Sequence, residues 1–168
     1  VKGEDIDGVL PWLWDYYQGA FRQMVLEVAG EEVVVDPDKK FGLNINRLSI
    51  DTQKDGYELH TDVNHWTAML AANTLKEGDG GELIHVQYLG LPDEMRFATR
   101  IETGWLYIFN GRDHPHKVEL LNPKGHARIR TTVPMDFIIE GSNVERPANL
   151  SAIFGNGNGN NNLTKGAE

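Results

Sequence analysis

The chain lacks cysteine and any long apolar run, and its basic residues are outnumbered, with 16 Lys and Arg against 25 Asp and Glu. The absence of cysteine excludes disulfides, zinc ribbons and thiol nucleophiles. Without a long apolar run, no helix is expected to span a membrane. The net charge of −9, with no basic stretch, argues against nucleic acid as a partner. These absences indicate a globular protein, and they leave small molecules and peptides possible as its partners.

The 168 residues, 40% of them hydrophobic, are enough for one domain with its own core. We predict a single domain over residues 1–154. Residues 155–168 begin with alternating Gly and Asn and contain almost no apolar side chains, so burial cannot offset the entropy of ordering them. We therefore expect a disordered tail there. Because the chain begins at Val1 rather than Met, a removed leader and a truncated start both stay open.

The first regular element is expected to be a helix over residues 10–29. Apolar residues recur there at three- and four-residue spacing, as on one face of a helix. Pro11 suits the first turn of such a helix, and Gly30 suits the position just past its end. The aromatic residues in this stretch are expected to pack against a sheet.

Beyond residue 38 the pattern changes to short extended segments separated by Gly, Pro, Asp and Asn. The predicted strands are residues 43–51, 57–63, 66–74, 82–88, 95–101, 105–110, 116–121 and 127–139. Seven or eight short strands at this spacing predict a sandwich or barrel of the jelly-roll kind. The sequence is therefore predicted to be mainly β.

Candidate metal ligands stand at two places in this pattern. His60 and Asp62 are two residues apart on a predicted strand, so their side chains point to the same face. A third ligand arrives from a distant strand, either His116 or His114, which are separated by a single proline. We favour His116. Two imidazoles and one carboxylate on one face of a metal leave its other face open, as in non-haem Fe(II) oxygenases.

Further motifs surround these ligands, and each alone would be weak. In order they are His60-Thr61-Asp62, Gly80-Gly81-Glu82-Leu83, Gly104-Trp105-Leu106-Tyr107-Ile108-Phe109, His116-Lys117-Val118 and Arg128. This ordered set resembles the Fe(II)/2-oxoglutarate-dependent oxygenases, and among them the prolyl-4-hydroxylase-like branch, over a core of residues 43–138. The resemblance implies a double-stranded β-helix (jelly roll, cupin-like) with the N-terminal amphipathic helix packed on the sheet.

The resemblance also implies the roles of individual residues. His60, Asp62 and His116 would hold Fe(II), which 2-oxoglutarate chelates and which reacts with O2. Arg128 would bind the far carboxylate of 2-oxoglutarate through its planar guanidinium, with help from Thr132. The implied reaction is hydroxylation of an unactivated C–H bond with release of succinate and CO2. We expect it in the cytoplasm, where Fe(II) stays reduced.

Several alternatives stay open from the sequence. Arg130 shares a strand face with Arg128 under strict alternation and could be the anchor instead. The tyrosines that prolyl-hydroxylase relatives often carry after the first motif are missing from residues 68–73. Asp62 argues against halogenation, since halogenating relatives replace this carboxylate with a small residue. A cupin-like metal enzyme, with His65 as an added ligand, and a non-catalytic barrel are the competing functions, and the prime substrate is not disclosed.

Overall fold

The computed structural model describes residues 1–51 and 56–145. The predicted tail at 155–168, together with the end of the predicted domain, lies outside the described residues. Within the described residues, no helix has the length and apolar character needed to cross a membrane.

The N-terminal segment is helical, as predicted, but it is divided. Its parts are α1 (Gly3–Val9), α2 (Pro11–Tyr16), a π-helical turn (Tyr17–Phe21) and α3 (Arg22–Ala29). Pro11 begins α2, and Gly30 ends α3 in the left-handed conformation with φ 70°. The helix predicted over 10–29 is thus confirmed, with a wider turn at its centre. The short helix α1 was not predicted.

The described residues form nine strands. They are β1 (Val33–Val35), β2 (Asn46–Ser49), β3 (Tyr57–His60), β4 (Trp66–Ala71), β5 (Leu83–Gln87), β6 (Met95–Thr99), β7 (Leu106–Phe109), β8 (His116–Val118) and β9 (Ile129–Ile139). Each of the eight predicted strands contains one of them, mostly shorter than expected. The three-residue strand β1 was missed because it is too short to show an alternation.

The strands form two antiparallel sheets. One sheet has the order β1-β9-β4-β7, with β2 also paired to β9, and the other has the order β3-β8-β5-β6. Successive strands from β2 to β5 alternate between the two sheets, as do β6 to β9. This is the double-stranded β-helix, and the predicted fold class is confirmed.

Two apolar clusters hold the layers together. The helices cover the outer face of the first sheet, where the Tyr17 and Phe137 rings meet edge to face at 5.1 Å. This outer cluster consists of Ile6, Leu13, Trp14, Tyr17, Val25, Val33, Leu43, Ala68, Val133, Met135 and Phe137. The inner cluster lies between the sheets and consists of Leu48, Met69, Ala71, Leu75, Leu83, Ile101, Val118 and Leu121. The expectation that the N-terminal helix packs on the sheet is confirmed.

The hydroxyl of Tyr17 joins the helical layer to the sheet. It donates to the carbonyl oxygen of Asp136 at 2.5 Å and accepts from the backbone N–H of Asp36 at 2.9 Å. The Tyr17→Phe variant removes both of these hydrogen bonds, whereas the Asp36 N–H still donates to the Asp136 carbonyl at 3.1 Å. We therefore expect it to lower the free energy of unfolding by about 0.5–1.5 kcal/mol. Urea denaturation measures the change. The matched control is Tyr16→Phe on an exposed ring, and equal effects of the two variants would contradict the assignment.

Candidate metal centre

Three side chains converge where β3 and β8 meet. His60 ends β3 and lies opposite His116, the first residue of β8. Asp62 follows two residues after His60, just past the strand, where its backbone N–H donates to the Gly111 carbonyl at 2.9 Å. Asp62 Oδ1 lies 3.6 Å from His60 Nε2 and 3.5 Å from His116 Nε2. The structure therefore brings together the three candidate ligands His60, Asp62 and His116.

The donor set fits a first-row divalent metal ion. One donor atom from each of the three residues lies within 4.8 Å of the others. Metal–ligand bonds of about 2.1 Å place neighbouring donors roughly 3–4 Å apart, which matches the separations from Asp62 Oδ1. Two imidazoles and a carboxylate suit Fe(II) with an open face. The alternative ligand His114 is outside this group, and its Nδ1 lies 3.1 Å from the Asn110 carbonyl.

Backbone carbonyls orient both imidazoles. His60 Nδ1 lies 2.7 Å from the Glu58 carbonyl oxygen, and His116 Nδ1 lies 3.0 Å from the His114 carbonyl oxygen. Because a carbonyl oxygen can only accept, each Nδ1 carries a proton, which leaves Nε2, the ring nitrogen near Asp62, as the atom that could bind a metal. This is the arrangement in which a histidine binds a metal through Nε2 while its other nitrogen is fixed by a hydrogen bond.

Asp62 and His116 each stabilise the charged form of the other, and this shifts the pKa of both. Burial alone would lower the pKa of His116, but the hydrogen bond and charge of Asp62 outweigh it and raise that pKa. Burial alone would raise the pKa of Asp62, and His116, through its hydrogen bond and charge, lowers it instead. Burial, with the Asp62 charge, raises the pKa of Asp136 well above the usual range of an aspartate. The cluster therefore presents one ionised carboxylate.

A cleft opens beside His116. Its lining is Trp66, His85, Gln87, Ile108, Phe109, Asn110 and His114. The Phe109 and His85 rings lie 5.0 and 5.8 Å from the His116 ring. Burial, followed by the charges of His116 and His114, lowers the pKa of His85 to about 4, so its imidazole is neutral. The cleft thus has a partly apolar lining next to the candidate metal ligands.

The sequence pattern did not single out His85. The residue faces His116 because β5 and β8 pair with His85 opposite His116. A strand pairing derived from the sequence would have revealed this neighbour. His65, in contrast, turns to Arg112, whose Nη1 lies 2.7 Å from His65 Nε2. It does not join the three ligands, as the cupin-like alternative would have required.

The structure places the two candidate arginines in different surroundings. Arg128 is exposed, and its Nη2 bonds to Asp51 at 2.6 Å. Arg130 is only 2% exposed and lies on the inner face of β9. Arg128, which the resemblance implied as the anchor for 2-oxoglutarate, thus lies on the surface. The physical reason is that β9 begins at Ile129, so strand alternation does not extend back to Arg128.

Arg130 is a buried charge without a carboxylate partner among residues 1–51 and 56–145. Its Nε donates to the Gly81 carbonyl at 3.0 Å, and its Nη1 to Thr132 Oγ1 at 3.3 Å. Its Nη2 lies 3.5 Å from Met69 Sδ. Burial lowers the pKa of Arg130 to about 10, so the guanidinium still carries its charge at neutral pH. Because an unpaired buried charge is costly, this position can hold an anion.

The Gly80-Gly81 motif makes room for this guanidinium. Both residues have positive φ, at 72° and 74°. A Cβ at Gly81 would lie 2.9 Å from Leu75 Cδ1 and 3.3 Å from Arg130 Cδ. Glycine is therefore needed for the backbone conformation and for the close approach of Arg130. The two tyrosines near Arg130 are Tyr57 and Tyr107, on β3 and β7 rather than on β4.

No family model and no curated protein matches the sequence. Solved structures do match. The α-ketoglutarate-dependent epimerase SnoN from nogalamycin biosynthesis aligns over 99% of this chain and 71% of its own, with TM-score 0.66 and 16% identity. A 2OG-Fe(II) oxygenase family member from Burkholderia pseudomallei aligns over 76% of this chain, with TM-score 0.56 and 16% identity. The chain has the fold of the 2OG-Fe(II) oxygenases.

A prolyl-4-hydroxylase from Pseudomonas putida shows the same fold, with TM-score 0.53 and 20% identity over 74% of this chain and 66% of its own. The resemblance noted in the sequence is thereby confirmed as a likeness of fold. The chain spans 55% of the length of the Burkholderia protein.

Protons are expected to compete with metal at His116. Because the pKa of His116 is raised, the metal-free imidazole is more than half protonated at about pH 6.5. Metal binding requires the neutral ring, so Co(II) affinity should rise with pH, about tenfold per unit below that pKa, and level off above it. Calorimetry in two buffers of different ionisation enthalpy measures the affinity and the released proton. An affinity that does not change between about pH 5.5 and 7 would contradict the assignment.

Proposed function

We propose that this chain is an Fe(II)- and 2-oxoglutarate-dependent oxygenase that hydroxylates an unactivated C–H bond of a small molecule or peptidyl residue. The observation that carries the proposal is the buried Arg130 guanidinium, which has no carboxylate partner among the described residues. It lies inside the same double-stranded β-helix that carries the His60, Asp62 and His116 cluster. A cation facing inward and a metal cluster together suit a keto acid with a second carboxylate.

The distance between Arg130 and the cluster of His60, Asp62 and His116 suits the length of 2-oxoglutarate. Arg130 Nη2 contacts Met69 Sδ. The side chains of Thr67, Met69 and Ala71 follow one another along the inner face of β4. Met69 and Thr67 are two residues apart, about 7 Å along the strand. Thr67 in turn contacts Asp62. A five-carbon diacid is of the length needed to run from the cluster to Arg130.

Different residues would bind the iron and the 2-oxoglutarate. His60, Asp62 and His116 would hold the iron, and Arg130 and Thr132 would bind the far carboxylate of 2-oxoglutarate by charge-assisted hydrogen bonds. When bound, Fe(II) supplies the chemistry that couples decarboxylation of 2-oxoglutarate to oxidation of the substrate by O2. One oxygen atom enters the product and the other enters succinate. The cleft beside His116 would place the substrate C–H bond next to the metal.

The role of Arg130 in binding 2-oxoglutarate is tested by a matched pair of variants. Arg130→Gln should raise the 2-oxoglutarate requirement by the equivalent of about 2–5 kcal/mol, since a buried charge pair is lost. Arg128→Gln should leave the requirement unchanged, because Arg128 is exposed and paired with Asp51. Anaerobic titration of the Fe(II) protein with 2-oxoglutarate, followed by the visible charge-transfer band, measures both. The reverse ranking would remove Arg130 from the co-substrate site.

Succinate release tests the reaction itself. Reconstituted protein is incubated with Fe(II), 2-oxoglutarate and O2, in the presence of amino acids, peptides and small metabolites. Succinate should form with the wild type and not with His60→Ala or Asp62→Ala, because each removes a metal ligand. Stoichiometric iron without any 2-oxoglutarate dependence would instead favour the cupin-like metal enzyme. Absence of metal binding would favour the non-catalytic barrel.

A further inference from the structure

Asp62, the proposed metal ligand, accepts a hydrogen bond from the hydroxyl of Thr67. Thr67 is the first residue of β4 whose side chain faces the interior. Thr67 Oγ1 donates to Asp62 Oδ2 at 2.5 Å. The other carboxylate oxygen, Oδ1, faces the two imidazoles at 3.6 and 3.5 Å. The two oxygens of one carboxylate therefore have separate partners.

Asn64 fixes the direction of that hydroxyl. Asn64 Nδ2 donates to the Trp66 carbonyl at 2.7 Å, and it also donates to Thr67 Oγ1 at 2.9 Å. The Trp66 carbonyl can only accept, so this contact identifies the nitrogen end of the Asn64 amide. Thr67 therefore accepts from Asn64, and its single proton is left for Asp62. Both side chains lie in the interior, at 3% and 6% exposure, so water does not compete for these bonds.

Gly111 allows the carboxylate to occupy this position. A Cβ at Gly111 would lie 2.1 Å from Asp62 Oδ2 and 2.8 Å from Asp62 Cγ. The φ of Gly111 is outside the left-handed region, so space rather than backbone conformation requires a glycine here. The Gly111 carbonyl also accepts the Asp62 N–H. Backbone and side chain of Asp62 are thus both fixed by close neighbours.

We propose that Thr67 is a positioning residue that restricts Asp62 to a single metal-binding oxygen, with Asn64 orienting its hydroxyl and Gly111 providing the space. This inference rests on the proposed metal site. An ion held by three donors on one face keeps the opposite face open. A carboxylate that turned to bind through both oxygens would take one of the open positions needed by the chelating keto acid and O2. Thr67 acts through Asp62 and touches no substrate.

The first test compares Thr67→Val with Thr67→Ser, using Co(II) alone as the probe. Valine keeps the shape and removes the hydroxyl, so Co(II) affinity should fall about 10–100-fold, the usual loss when a partner of a metal ligand is removed. The visible Co(II) spectrum should also change, since it reports the number of ligands. Serine restores the hydroxyl and should restore both affinity and spectrum. The control is Thr74→Val, whose hydroxyl bonds to Thr103 on the surface.

The outcomes separate this inference from the proposed function. Wild-type affinity and spectrum in Thr67→Val would overturn the positioning role while the metal site stands. Failure of Thr67→Ser to recover what Thr67→Val loses would overturn it as well, because the hydroxyl would not be the cause. A wild type that binds no Co(II) would overturn the metal site and this inference with it.

The second test is Gly111→Ala. The added methyl group meets the end of the Asp62 side chain, which can turn aside, so the protein should fold while Co(II) binding is lost more than tenfold. The melting temperature of the metal-free protein is measured alongside the Co(II) isotherm. The control is Gly8→Ala, where a Cβ meets nothing within 4 Å. Wild-type Co(II) binding in Gly111→Ala would overturn the requirement for space. If this variant does not fold, the comparison of Thr67→Val with Thr67→Ser still tests the positioning role of Thr67.

Discussion

The structure depends on the register of β9. This strand pairs with β1, β2 and β4, and its side chains alternate between two interiors. Val133, Met135 and Phe137 pack beneath the helices, whereas Arg130 and Thr132 face the space between the sheets. A shift of one residue would place the guanidinium in the helix-covered cluster and the apolar side chains opposite the other sheet. The hydrophobic pattern of the second half of the strand therefore fixes the position of the buried charge in its first half.

The candidate metal centre depends in the same way on the pairing of β3, β8 and β5. His60, His116 and His85 lie opposite one another across these three strands, although 25 to 56 positions separate them in sequence. Two of the imidazoles face Asp62, and the third is neutral and lines the cleft. The pairing thus produces the ligand pair and one wall of the cleft together. The Asp62 carboxylate arrives from the loop after β3 and is fixed separately, by Thr67 and Gly111.

The parts of this arrangement that could be predicted from sequence are those with a periodic or local pattern. Helical spacing gave the N-terminal helix, and the ordered motifs gave His60, Asp62 and His116. The resemblance favoured Arg128 over Arg130, and the sequence does not show that β9 begins only at Ile129, after Arg128. His85 was missed because its partner lies on another strand, and only the strand register shows such a contact. Thr67 was missed because its partners lie in the loop before β4, and the sequence pattern does not specify the conformation of that loop. Gly111 gives no pattern at all, since its requirement comes from the Asp62 carboxylate.

The distribution of charge argues, under the proposed function, for selectivity among keto acids. Arg130 is surrounded by neutral partners, the Gly81 carbonyl, Thr132 and Met69, within an otherwise apolar cluster. A keto acid without a second carboxylate would leave this charge buried and unpaired. A site built to pair a buried polar group discriminates strongly against a ligand that lacks the partner, whereas a difference of one methylene is worth little. The barrel interior is therefore suited to reject monocarboxylic keto acids more strongly than diacids of slightly different length.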